Sequence, residues 1–234
     1  MPTAAFFDLD GTLLTVNSAN LWVKRELRLG NLPLWKFLRA ALWLGGYRLG
    51  MLDMDAALTA ALTQLKGIEE AKVRAQTQAW WCEEVRGYFA PGARAILQAH
   101  KDAGDLCVLI TSSSRYAAEM AREDFALDHV IFQGYETADG RFTGKATHPL
   151  CYGQGKVLLA EAWAREAGVD VTQSAFYSDS YTDLPLLEKV AKPFAVAPDL
   201  RLGRAARQRG WPVLDWSKEA RGGQDASKRL VNDR

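Results

Sequence analysis

The chain has 234 residues, about 1.6 domains at roughly 150 residues each, room for one large domain with a smaller insert. Its 29 basic and 28 acidic residues leave a formal net charge of +1, so bulk charge gives no support to nucleic-acid binding. Hydrophobic residues at 48% and charged residues at 24% are the proportions of a soluble globule, and the widely spaced Cys82, Cys107 and Cys151 argue against a disulfide framework or a CxxC zinc site.

The opening MPTAAFFDLDG has no basic region leading into an apolar run, and no stretch of 18 apolar residues occurs. The expected compartment is therefore the reducing cytoplasm, with no transmembrane segment. Ala4 to Phe7 is a short apolar run with the length of a buried, central strand, and Asp8-Leu9-Asp10-Gly11-Thr12 forms the loop at its carboxyl end. Residues 17–86 read as helical throughout. Leu21 to Leu29 stops at Gly30, and Leu34 to Leu44 follows Pro33 and stops at Gly45-Gly46. Ala56 to Leu65 is capped by Asp53 or Asp55 and stopped by Gly67, and Ile68 to Val85 runs to Gly87.

From Pro91 helices alternate with strands. Ala93 to Lys101, Arg115 to Phe125, Lys156 to Ala167, Leu184 to Val190 and Asp199 to Arg209 read as helices. Leu106 to Ile110, His129 to Phe132, Ser174 to Ser178, Phe194 to Ala197 and Pro212 to Leu214 read as strands. Asp139-Gly140 marks a small hairpin. The expectation is an α/β fold, a three-layer Rossmann-like core with a mainly parallel sheet, built from residues 1–15 and 88–216. A helical bundle over residues 16–87 is inserted after the first strand, and 217–234 is a polar tail. The insert leaves and returns at the carboxyl end of the sheet, where open α/β sheets place their ligand sites.

Four strand ends carry polar groups suited to one chemistry. Asp8 and Asp10 offer two carboxylates two residues apart, for a divalent cation or for a nucleophile with an acid beside it. Thr111, Ser112 and Ser113 offer hydroxyls and amides to a phosphate. Lys156, preceded by Gly153 and Gly155, is a compact positive charge, and Asp179 with Asp183 adds acids for a hard cation. Each group alone has an ordinary explanation as a cap, a turn or a solvated loop. Together they form the part list for magnesium-assisted phosphoryl transfer.

FFDLDGTLL at residues 6–14, ITSSS at 110–114, Lys156, and SDSYTDLPLL at 178–187 resemble, in order and spacing, the four motifs of the haloacid dehalogenase-like (HAD) superfamily of phosphohydrolases. The resemblance spans residues 4 to about 216 and is nearest to the phosphoserine-phosphatase-like branch, subfamily IB, with a C1-type helical cap. It implies that Asp8 is the nucleophile and carries an aspartyl phosphate. It implies that Asp10 protonates the leaving oxygen and then activates water, that Thr111 bonds the phosphoryl group, and that Lys156 steadies Asp8. It implies a Mg2+ cofactor held by Asp8, the Asp10 carbonyl and Asp179, with Asp183 behind them.

The substrate side is set by departures from that pattern. Phosphoserine phosphatases typically carry an acid soon after the first motif and glycines in the second. Val16-Asn17-Ser18 and Ser112-Ser113-Ser114 stand here instead, which weakens the case for an amino group as the recognised feature. Gly11, Ser112, Ser113, Arg115 and Arg86 are the candidate substrate-binding residues, the arginines as grips for a carboxylate or second phosphate. His100, His129 and His148 form no metal-binding pattern. Five of the eight tryptophans lie between residues 22 and 81, and the amphipathic stretch Leu32 to Leu49 carries Trp35 and Trp43 among basic groups. That stretch suits a cap core, a cleft wall or contact with a membrane surface or partner. The leading expectation is a phosphomonoesterase acting on a small phosphorylated metabolite. A phosphotransferase to an alcohol, a lipid-phosphate enzyme at a membrane surface and a non-catalytic phospho-ligand binder are the alternatives.

Overall fold

The computed structural model describes residues 3–30 and 54–216. The expected helix Leu34 to Leu44, the aromatic stretch Leu32 to Leu49, the Asp53 cap and the tail 217–234 lie outside the described residues. The first strand, β1 (Ala4–Phe7), leads into a wide turn over Leu9–Leu13 and then helix α1 (Ser18–Arg28). Helices α2 (Met54–Thr63) and α3 (Glu70–Trp80) follow, and α3 unwinds through Trp81–Val85 and Arg86–Tyr88. The alternating region then gives α4 (Ala93–Asp102), β2 (Leu106–Ser114), α5 (Arg115–Phe125) and β3 (His129–Gln133). A hairpin of β4 (Tyr135–Ala138) and β5 (Arg141–Ala146) precedes α6 (Gln154–Ala167) and β6 (Ala175–Ser178). The chain closes with α7 (Leu184–Leu187), β7 (Lys192–Val196), α8 (Leu200–Arg209) and β8 (Val213–Leu214).

Six strands form one parallel sheet in the order β3-β2-β1-β6-β7-β8. Side chains alternate along each strand, so β1 feeds two cores. Ala5 and Phe7 pack with Ile96 and Leu97 of α4 and Ala118 and Ala121 of α5. Ala4 and Phe6 pack with Val157 and Ala160 of α6, Leu186 and Leu187 of α7, and Leu202 of α8. Each fully buried phenylalanine contributes about 1.5–3 kcal/mol. That double burial is why β1 carries no polar residue before Asp8, and the mixed α/β, mainly parallel core matches the expected fold class. The chain moves outward from β1 to β2 and β3 on one side and returns through β6 to β7 and β8 on the other. The reversal lies between β1 and β6, and the carboxyl ends of strands at such a point are where open α/β sheets place their ligand sites.

Helices α1 to α3 belong to a cap that, among the described residues, is tied to the core through its backbone along two lines, besides side-chain links such as Arg74 to Glu119. The chain leaves and re-enters as a short antiparallel ribbon, with Leu14 bridged to Phe89. Thr15 N–H donates to Tyr88 O at 2.8 Å, and Ala90 N–H donates to Leu13 O at 2.9 Å. The second line was not legible as such. The β4–β5 hairpin docks on the turn between α2 and α3, where Gly67 N–H donates to Phe142 O at 2.8 Å and Glu70 N–H to Gly140 O at 2.9 Å. Asp139 and Gly140 both have positive φ, 51° and 72°, as a two-residue hairpin turn of the mirror-image type requires.

Several boundaries differ from expectation. Helix α1 starts at Ser18 rather than Leu21 because Asn17 Oδ1 accepts the Asn20 N–H at 3.0 Å and caps it. Strand β2 runs four residues past Ile110, with its pairing to β3 shifting register between Ile110 and Ser114. Helix α7 is one turn long, ending at Leu187 rather than Val190. Among the described residues no helix is long and apolar enough to cross a membrane.

Candidate active site

The pairing of Phe7 with both Leu109 and Tyr177 sets Asp8 level with Ile110 and Ser178, one residue short of Thr111 and Asp179. Asp8 N–H donates to Tyr177 O at 2.9 Å, which fixes its backbone at the end of β1. Its side chain is buried, and Lys156 Nζ donates to Asp8 Oδ1 at 2.7 Å. The same ammonium donates to Asp183 Oδ2 at 2.8 Å, and that oxygen also accepts from Ser178 Oγ at 2.7 Å. Lys156 comes from the first turn of α6 and is only 2% exposed. Burial alone would lower its pKa, but the Asp183 and Asp8 carboxylates outweigh burial and hold it well above the ordinary lysine range.

The acids carry more negative charge than one lysine balances. Burial, with help from the Asp183 and Asp10 charges, pushes Asp8 up to about 7 although Lys156 pulls it down. Burial and the Asp8 and Asp183 charges push Asp179 up to about 8. Asp10 is raised by burial, while hydrogen bonds from Ser18 oppose the rise. Ser18 N–H donates to Asp10 Oδ1 at 2.9 Å. Asp8 and Asp10 thus sit in different settings, one beside an ammonium and one beside a helix start.

Gly11 places Asp179 against the first loop. It has φ of +74°, and a β-carbon on it would lie 2.3 Å from Asp179 Oδ2. The Asp179 carbonyl accepts from Asp199 N–H at 2.8 Å, and Asp199 Oδ2 accepts from Tyr181 N–H at 2.8 Å, so this loop is held from α8. Two carboxylates, one of which raises the pKa of the other, are donors of the type a hard divalent cation takes. Among the described residues no three His, Cys, Asp or Glu side chains gather as a complete ligand set. A cation bound here would therefore take carbonyl or water oxygens alongside Asp8 and Asp179.

Thr111 is buried within β2, three residues before its end, and its Oγ1 accepts from Ser113 N–H at 3.1 Å. The other sequence-read contacts are engaged within the chain. Ser112 Oγ donates to Cys151 O at 2.7 Å and so ties β2 to the loop before α6. Arg115 Nε donates to Glu119 Oε1 at 2.6 Å, one turn along its own helix. Arg86 Nε donates to Asp124 Oδ2 at 2.9 Å, an oxygen that also accepts from Trp81 Nε1 at 2.7 Å. Gly11 acts on Asp179 through lack of a side chain, and Asp183 turns to Lys156 and Ser178.

Three contributors escaped the sequence reading. Ser18 was hidden by starting α1 at Leu21. Ser178 read as the last residue of an apolar strand. Gln133, 3% exposed at the end of β3, donates to Gly134 O and Thr147 O at 2.9 and 3.1 Å and accepts from Cys151 N–H at 2.8 Å, bracing the loop that leads to Lys156. Two of the histidines serve the fold: His100 bonds Asp105 and Tyr177, and His129 stacks on Trp163. Buried Cys107 and Cys151 have thiols pushed up to about 12, and all three cysteines are unpaired.

Residues 5–188 match the family described as haloacid dehalogenase-like hydrolase. The chain is 31% identical over 227 residues to a histidinol-phosphatase of Neisseria meningitidis serogroup C (strain 8013), covering 92% of this chain and 100% of that protein. It is 29% identical to a phosphoserine phosphatase of Mycobacterium tuberculosis, covering 92% of this chain and 71% of that protein. A protein of unknown function from Bordetella pertussis Tohama I superposes with a TM-score of 0.84 at 30% identity, covering 92% of this chain and 99% of that chain.

Proposed function

The chain belongs to the haloacid dehalogenase-like hydrolases, and from that premise we propose that it is a magnesium-dependent phosphomonoesterase acting on a small phosphorylated metabolite. The observation that carries this reading is the buried Asp8 carboxylate beside Lys156 Nζ, 2.7 Å away, with a second buried acid two residues on. A binding protein has no need of both acids.

In this reading Asp8 Oδ attacks phosphorus, the P–O ester bond breaks, and its electron pair leaves on the alcohol oxygen. Asp10, whose pKa is raised by burial, gives that oxygen its proton. Asp10 then takes a proton from water as the water oxygen attacks phosphorus, and the Asp8–phosphorus bond breaks to release phosphate. Lys156 holds Asp8 in place and offsets charge on the phosphoryl oxygens, while the Thr111 hydroxyl hydrogen and the nearby amides bond those oxygens. Asp8 and Asp179 with the Asp10 carbonyl would hold Mg2+, which when bound draws the anionic ester toward the anionic nucleophile. Asp183 keeps Lys156 oriented, and the cap over residues 16–87 closes on the leaving group above the 1–15 and 88–216 core.

We place the protein in subfamily IB and in the cytoplasm, where its unpaired cysteines stay reduced. Histidinol phosphate heads the substrate panel, because the relative matched from end to end carries that name. Phosphoserine comes second, since Asn17 and Ser18 bring no acid for its amino group. The test is phosphate release from a panel of phosphorylated metabolites with magnesium. Turnover that falls by at least ~10³-fold in Asp8→Asn is expected. No release from any ester, or equal release from Asp8→Asn, overturns the proposal.

A further inference from the structure

Ser18 belongs to the cap by sequence position and to the reaction centre by contact. It is the first residue of α1 and is 4% exposed. The first amides of a helix have no partner within it. Asn17 Oδ1 takes the Asn20 N–H, and the Ser18 N–H goes to Asp10 Oδ1 at 2.9 Å. On its other side, Ser18 Oγ lies 3.4 Å from Ser113 Oγ, and Ser113 N–H donates to Thr111 Oγ1 at 3.1 Å. One chain of contacts thus joins the proposed acid, the first cap helix and the phosphate-facing turn of β2.

We infer that Ser18 is a positioning residue whose backbone N–H orients Asp10 for proton delivery, so that the seat of α1 and the aim of the acid are one state. The inference rests on the proposed phosphatase reading. An acid whose carboxyl can rotate gives its proton to the wrong place, and Asp10 sits in a loop where Gly11 has φ of +74°. A bond from Ser18 to one carboxyl oxygen leaves the other to face the leaving group. Because the donor sits at the start of α1, any displacement of that helix releases Asp10.

The position allows a clean test. Proline suits the first helical residue and lacks the N–H as well as the hydroxyl, and Asn17 before it is already extended at φ −88° and ψ 118°. Ser18→Pro therefore removes the donor and keeps the helix. The magnesium-loaded protein is assayed on an alkyl phosphate, whose alkoxide needs a proton, and on p-nitrophenyl phosphate, whose phenolate does not. For Ser18→Pro, kcat/KM, which reports transfer to Asp8 and not the later hydrolysis common to both esters, is expected to fall at least ~10-fold more on the alkyl ester than on the aryl ester, within the range general acids contribute. Ser18→Ala, which keeps the N–H, is expected to show a clearly smaller difference between the two esters.

A Ser18→Pro loss equal on both esters, or a Ser18→Ala difference as large as that of Ser18→Pro, overturns the inference and leaves the phosphatase reading standing. A wild-type protein inert on both esters overturns both. If Ser18→Pro fails to fold, a crystal structure of the wild-type chain with magnesium and orthovanadate decides. Ser18 N–H bonded to Asp10 supports the inference, and Asp10 turned away from Ser18 overturns it.

Discussion

Gly11 and Asp179 are packed so tightly that a β-carbon at residue 11 would stand 2.3 Å from the Asp179 carboxylate oxygen. The first motif and the fourth therefore share one space, and that space exists only while residue 11 is glycine. Gly11→Ala is expected to lose about 1–3 kcal/mol of stability, because alanine must adopt φ of +74° and push Asp179 aside. Urea unfolding measures the loss. Turnover should drop by more than the stability change alone explains, since Asp179 moves with it.

Lys156 lies between two buried carboxylates, at 2.7 Å from Asp8 and 2.8 Å from Asp183. Lys156→Met strands both acids in a low-dielectric site. Its expected cost is about 3–5 kcal/mol at neutral pH, read from chemical denaturation. Lys156→Arg should not restore turnover, because a planar guanidinium does not fit a cradle built for a compact ammonium. An arginine variant with wild-type turnover would show that charge alone is what the position requires.

Magnesium should stabilise the folded chain, since a ligand that binds only the folded state adds RT ln(1 + [L]/Kd). At a hundredfold excess over Kd that is about 2.7 kcal/mol, or a rise in Tm of roughly 5–10 °C. Asp179→Asn should erase most of the rise, and chelation with EDTA should reverse it in the wild type. A rise that survives in both Asp8→Asn and Asp179→Asn would put the cation elsewhere.

A second buried cluster sets part of the acid stability. Asp105 Oδ2 and His100 Nδ1 are 2.7 Å apart, Thr3 Oγ1 also donates to Asp105, and His100 Nε2 is 2.8 Å from the Tyr177 hydroxyl. The His100 hydrogen bond lowers the Asp105 pKa below its ordinary 3.8, against a smaller opposing effect of burial. A depressed carboxylate contributes stability above its unfolded pKa and loses it as pH falls through the folded value. Asp105→Ala should cost ~1 kcal/mol at pH 7, after allowing for partial solvent exposure. The wild-type and variant curves should converge as the pH falls toward about 2.

Much of the core was legible because its strands are buried on both faces and therefore announce themselves as apolar runs. Ala4–Phe7 ends at the residue before Asp8 and Ala175–Ser178 at the residue before Asp179, and their register alone brings Asp8 within one residue of the level of Thr111 and Asp179. What hid from the sequence was the use of polar side chains inside the chain. Ser112 looks like a ligand hydroxyl in a Thr-Ser-Ser run, yet it bonds the carbonyl of Cys151, thirty-nine residues away. Arg115 and Arg86 look free until Glu119 and Asp124 are placed beside them. The Ser18 contact depended on where a helix begins, a boundary that one asparagine cap moved by three residues. The docking of the hairpin on the α2–α3 turn rests in part on backbone groups, which carry no residue-specific signal, and Arg141, which bonds the Gly67 carbonyl and pairs with Glu69, reads in the sequence as one more surface arginine.

That docking has a consequence for how the molecule comes apart. The hydrogen bonds linking Gly67 and Glu70 to Gly140 and Phe142 join segments some seventy residues apart, and Phe142 is 3% exposed beneath them. Together with the Leu14–Phe89 ribbon, which holds the two chain ends of the insert, they tie the inserted helices to the rest of the chain at a point within the insert as well. The cap cannot peel away without uncovering Phe142, so it has little independence to unfold first. Denaturation followed at the cap tryptophans Trp80 and Trp81 and at Trp163 of the core should trace one cooperative transition. A protease cut in the cap should likewise leave its fragments associated until the sheet itself melts.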